Sequence, residues 1–165
     1  MENAIKMSRV YTGRKAVITF EGGFHGRTWL ALALTSKTTP YKQGLLPLAG
    51  EIYRVPYAYP YRPPVEPGEG ESFGEACAGL LEKVFSSYVA PEDVAALIVE
   101  PVLGEGGFVV PPDNYLSALK RRCEEHGIVF IVDEVQAGFG RTGKMFGVEH
   151  SGVEPDLVIL AKSLA

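Results

Sequence analysis

Two apolar runs near the end of the chain, each stopping at charged residues, restrict its fold more than anything else in it. They are IVFIVDE, ending at Asp133 and Glu134, and DLVILAK, ending at Lys162. Short apolar runs bounded by polar turns read as strands buried on both faces of a parallel sheet. In an open α/β sheet, ligands bind outside the carboxyl ends of the strands, which puts Asp133 and Lys162 at one crevice. A carboxylate there loses solvation and is driven towards its neutral form unless a cation faces it. A buried lysine is driven towards a neutral, nucleophilic amine. The same two residues also suit a structural ion pair, and charge alone does not separate the readings.

The rest of the composition narrows the class. With 165 residues, 46% apolar and 22% charged, and a net charge of −4, the chain suits one soluble globular domain with its own core. Lys and Arg are scattered among acids, so no basic stripe is available to neutralise phosphates, which argues against a nucleic-acid partner. No apolar run approaches the ~20 residues of a membrane helix, and the first residues lack the pattern of a signal peptide; the expected location is cytoplasmic, with no membrane partner. Cys77 and Cys123 lie in helix-like segments with no second Cys or His at metal spacing, so both read as buried small hydrophobes and no metal is expected.

Along the chain, residues 2–11 have a helical pattern with Ala4, Ile5, Ser8 and Val10 near one face and Gly13 as a stop. KAVITF at 15–20 is a short strand, broken by Gly22 and Gly23 before Phe24-His25-Gly26-Arg27-Thr28, and a helix follows with Trp29, Leu30, Leu32 and Leu34 turned inwards. Residues 37–70 are irregular and rich in Pro, Tyr and Gly, a surface crossing that contains the short strand EIYRVPY. Ser72 to Tyr88 has helical spacing, VAALIVEP is a buried strand ending at Glu100, and GEGG at 104–107 is a turn. Asp113 or Asn114 caps a helix that runs to His126 and stops at Gly127. Strands alternating with helices predict a mostly parallel α/β sheet with flanking helices. Polar residues then gather where strands end: His25, Arg27, Glu100, Glu105, Asp133, Gln136 and Lys162.

GFGRTGKM at 138–145 matches two nucleotide fingerprints on paper. As a dinucleotide loop it comes too late after its strand, and the next strand ends in Lys162 where an acid belongs. As a phosphate-binding loop for Mg-ATP it has Met145 where a Ser or Thr must hold the metal. A P-loop-like nucleotide binder is therefore disfavoured.

FHGRT, IVEPVLGEGG, IVDEVQAGFGRTG and DLVILAKSLA, in that order, resemble the class III pyridoxal-phosphate aminotransferases nearly end to end. GRTWLALALTSKTTPYK is most similar to the 4-aminobutyrate branch. The resemblance implies a fold-type I large domain and the cofactor pyridoxal 5'-phosphate. It also implies transfer of an amino group from an ω-amino donor of the 4-aminobutyrate type to a 2-oxo acid such as 2-oxoglutarate. By the same resemblance, Lys162 is the lysine that forms the internal aldimine and shuttles the proton, and Asp133 is the acid beneath the pyridine nitrogen. Gln136 meets the phenolic oxygen, Val135 and Phe24 cover the two ring faces, and His25 and Glu100 support the cofactor site. Arg27 meets the carboxylate of the ω-amino donor, and Glu105 masks a second arginine that is not in this sequence. Family members assemble as dimer-based homo-oligomers. Residues 1–165 correspond to one partial domain, shortened at both ends, with the phosphate-cradling turn expected before Met1. On that expectation the segment alone is inactive. The alternative from a different class is a non-catalytic truncated product or association module.

Overall fold

The computed structural model describes residues 1–164. The elements follow in the order α1 (Glu2–Thr12), β1 (Ala16–Phe20), α2 (Trp29–Leu34), β2 (Ile52–Val55), α3 (Phe73–Ser87), β3 (Val94–Val99), α4 (Tyr115–His126), β4 (Val129–Asp133) and β5 (Leu157–Ile159). The strands form one sheet, β2-β1-β3-β4-β5, and every neighbouring pair is parallel.

The continuous apolar strands are explained by helices on both faces. Side chains alternate across a strand: Ile18, Phe20, Leu97, Val99, Phe130 and Val132 face a core completed by α3 and α4 through Leu81, Leu116 and Leu119. Their neighbours Val17, Ala96, Ile98 and Ile131 face Ile5 of α1 and Leu34 of α2. Each such Leu or Ile buried here contributes about 1.5–3 kcal/mol relative to exposure. Gly13 and Gly127 end α1 and α4 in the left-handed conformation, with φ of 71° and 63°, where a side chain would be strained. Asn114 stands at the N-cap position of α4 but makes no side-chain cap. Its amide donates instead to Ser72 Oγ, the residue that caps α3 by accepting from Glu75 N–H at 3.3 Å.

Three expectations are corrected. Val10 and Trp29 are exposed, because α1 turns its Ala4, Ile5 and Ser8 side to the sheet and Trp29 occupies the first position of a six-residue helix. The last strand is not buried on both faces: β5 spans three residues at the sheet edge, with Val158 exposed and Ile159 buried. Lys162 does not end that strand; it stands beyond it in the 3-10 turn Lys162–Leu164 and is exposed. The burial from which its nucleophilic character was argued is absent here.

Candidate active site

Asp133 is the last residue of β4, paired with Ile159 and only 4% exposed. The group facing it is His25, not Lys162. His25 Nδ1 donates to Asp133 Oδ2 at 2.8 Å, and the Val135 N–H donates to Oδ1 at 3.1 Å. His25 Nε2 lies 3.0 Å from Thr19 Oγ1. A carboxylate at Nδ1 assigns the proton to that nitrogen, so in the neutral ring Nε2 accepts from the Thr19 hydroxyl. The loop carrying His25 follows β1, so it reaches past the carboxyl end of β3 to fix a carboxylate on β4.

Glu100, immediately after β3, has a second buried carboxylate. Its Oε1 accepts from Phe24 N–H and its Oε2 from Gly104 N–H, both at 2.9 Å. Burial pushes this carboxyl above its ordinary range, while the His25 ring and the two amides pull the other way. Tyr57 donates its hydroxyl to the Glu100 carbonyl at 3.0 Å. Glu100 thus ties the loop after β1 to the Leu103–Val109 turn, which is closed by an antiparallel bridge.

All the sequence-predicted site residues except Arg27 line one cavity of about 80 Å³, together with Gly26. A neighbouring cavity of about 420 Å³ shares Val135, Gln136 and Lys162 and extends to Arg141 and Thr142. The Lys162 amine donates to Gln136 Oε1. Gly104 permits this arrangement, since a Cβ there would come within 3.0 Å of Gln136 Cδ. Arg27 lies outside the cavity, exposed, with its Cζ 5.1 Å from the centroid of the Tyr41 ring. Glu105 is also exposed; its Oε2 accepts from Tyr41 Oη at 3.2 Å and its carbonyl from Lys37 Nζ at 2.8 Å.

A larger cavity, about 810 Å³, lies elsewhere. It lies by the first residues of β4 and β5, against Met7, Val10 and Tyr11. Lys120 and Asp156 in its wall are paired with each other at 2.9 Å, so it brings together no free chemistry comparable to that at the carboxyl ends.

Sequence reasoning missed two residues. Glu134 is fully buried and accepts from Gly147 N–H at 3.0 Å and Val148 N–H at 2.8 Å, anchoring the far end of the GFGRTGKM loop. An acid inside an apolar run needs such partners, and that was its signal. Tyr41, which touches Arg27, Glu105 and Phe24, carries no such signal in an irregular loop.

The family model for Aminotransferase class-III matches residues 1–165. The chain belongs to the class-III aminotransferases. This class-III chain is 48% identical over 168 residues to the 4-aminobutyrate aminotransferase of Mycobacterium tuberculosis, covering 100% of the chain and 37% of that protein. It is 47% identical to the 2-aminoadipate transaminase of Pseudomonas putida, covering 99% of the chain and 38% of that protein. Among solved structures, an (S)-enantioselective omega-transaminase from Thermomicrobium roseum superimposes with a TM-score of 0.88 at 36% identity, over 98% of this chain and 37% of that one. A PLP-bound amine transaminase from an uncultivated Pseudomonas species gives 0.88 at 33% identity, again over 98% and 37%. The chain therefore spans a little over a third of the length of these relatives. Among the described residues, no helix is long and apolar enough to cross a membrane, and no group of three or more His, Cys, Asp or Glu is placed to hold a metal.

Proposed function

We propose that this segment forms part of the large domain of a pyridoxal-phosphate aminotransferase. The proposed reaction moves an amino group from an ω-amino acid of the 4-aminobutyrate type to a 2-oxo acid such as 2-oxoglutarate. The observation that carries the reading is the Asp133 carboxylate, buried and fixed by His25 and the Val135 amide, on the same cavity as Phe24, Gln136 and Lys162. A buried carboxylate held this firmly needs a cationic or protonated partner to be worth its desolvation, and a protonated pyridine nitrogen is one. The donor set fits the rest of the cofactor: an amine for its aldehyde, an amide for its phenolic oxygen, and Phe24 and Val135 for its ring faces.

When bound, pyridoxal phosphate supplies an electron-accepting ring that stabilises the charge left as a proton leaves the carbon bearing the amine. Asp133 would hold the ring nitrogen protonated, and His25 would orient that carboxylate. Lys162 would bind the aldehyde carbon and carry the donor's proton. Glu100 would keep Phe24 and the 103–109 turn at a constant separation. Arg27, whose planar fork suits two carboxylate oxygens, would take the far carboxylate of the donor, while Glu105 would mask a second arginine supplied by another part of the protein. Assembly as a dimer-based homo-oligomer and a cytoplasmic location belong to the same proposal. The exposed Phe108, Val110 and Met145 on the turns beside the crevice support an assembly contact.

The test takes the protein at the length of its relatives, loads it with pyridoxal phosphate, and maps the lysine labelled after borohydride reduction. Conversion of 4-aminobutyrate with 2-oxoglutarate is measured alongside. Label on Lys162 together with conversion supports the assignment; label confined to other lysines, or no conversion, overturns it.

A further inference from the structure

Tyr41 lies in the irregular loop after α2, and three groups of the site meet on it. Its ring carries the Arg27 guanidinium, Cζ 5.1 Å from the centroid. The hydroxyl donates to Glu105 Oε2 at 3.2 Å. The Phe24 ring packs 5.0 Å away, tilted by 56°. Arg27 and Glu105 are oppositely charged and both exposed, yet among the described residues Arg27 has no carboxylate within 4 Å. Tyr41 separates them by binding each with a different part of itself. A guanidinium held by a ring face keeps its N–H donors available to a carboxylate. A carboxylate held by a neutral hydroxyl is kept from spending its charge on that guanidinium. Lys37 pins the Glu105 carbonyl at 2.8 Å, so the backbone of the turn is already anchored and Tyr41 governs the side chain alone.

We propose that Tyr41 is a specificity-determining, positioning residue: by taking Arg27 on its ring and Glu105 on its hydroxyl, it keeps Arg27 unpaired for the carboxylate of an incoming ω-amino acid. The proposal rests on Arg27 being the donor-carboxylate site, as argued above.

The experiment uses the full-length, cofactor-loaded protein and calorimetric titration with butanoate, which carries the carboxylate but no amine and so reports on Arg27 without turnover. Tyr41→Phe keeps the ring but frees Glu105 to pair with Arg27, so butanoate should bind about threefold more weakly, the scale of an exposed ion pair. In a Glu105→Gln background, which bares the second arginine equally in both proteins, Tyr41→Phe should leave butanoate binding unchanged, because an amide cannot neutralise Arg27. Tyr41→Leu loses the ring as well and should weaken binding about tenfold, with part of that loss remaining in the Glu105→Gln background. In turnover, Tyr41→Phe should raise KM for 4-aminobutyrate relative to KM for butylamine by the factor seen with butanoate.

Unchanged butanoate binding in Tyr41→Phe, an undiminished loss on the same change in the Glu105→Gln background, or an equal KM rise for both amines would overturn the proposal. If wild-type protein binds butanoate in this Tyr41-dependent way but transfers no amino group, the carboxylate site stands and the transamination reading falls.

Discussion

Replacing Glu100 with Gln should cost stability, and the pH dependence of the cost should reveal which force governs the buried carboxylate. Its two oxygens each accept one backbone N–H, from Phe24 and Gly104, at 2.9 Å. Gln retains one acceptor, so one of these amides loses its partner and faces an NH₂ group. An unsatisfied buried donor costs about 1–3 kcal/mol. Removing the carboxylate also relieves its burial, which is the largest influence raising its pKa. The net loss at neutral pH is then about 1–2 kcal/mol. A carboxyl whose native pKa is raised contributes stability that is complete below its ordinary 4.5 and is lost as pH rises through the native value. The variant has no such group, so the stability gap between wild type and variant should narrow as pH rises above 4.5. Urea titrations at several values between about pH 5 and 8 measure this gap from midpoints at constant slope. A gap that widens with pH would refute the reasoning, since it would mean that the two amides and His25 outweigh burial.

In the full-length enzyme, Asp133→Asn should lower transamination by at least about a hundredfold with the fold intact, because an amide cannot hold a pyridine nitrogen protonated; near-normal turnover of the folded variant would remove the role. Glu134→Ala should destabilise by about 2–4 kcal/mol, since the Gly147 and Val148 amides lose a charged acceptor inside the protein, and hydrogen exchange at those amides should accelerate; unchanged exchange would refute the anchor. Burial raises the Cys77 thiol from 9.0 to about 11, so its contribution to stability is complete below pH 9 and lost as pH rises through about 11. Cys77→Ala should flatten the stability profile across that window, and an unaltered slope in thermal melts would contradict it.

The local features of this protein were legible in its sequence because they depend on short stretches of chain. Burial of AVITF, VAALIV and VFIVD on both faces, the stops at Gly13 and Gly127, and a crevice at the carboxyl ends of the strands follow from backbone geometry and apolar pattern. Asp133 and Glu100 were identifiable as chemically exceptional because each follows an apolar run. What faces them was not identifiable. His25 reaches Asp133 across 108 residues and Phe24 reaches Glu100 across 76, and no periodicity encodes such a pairing. The same limit explains Lys162. An apolar run reports what a strand is able to bury, whereas the neighbours present in the fold decide what it does bury, and β5 has only β4 beside it. Tyr41 shows this limit most plainly: in an irregular loop its sequence context is silent, and only the chain's return past the ends of β1 and β3 places its ring under Arg27 and its hydroxyl on Glu105.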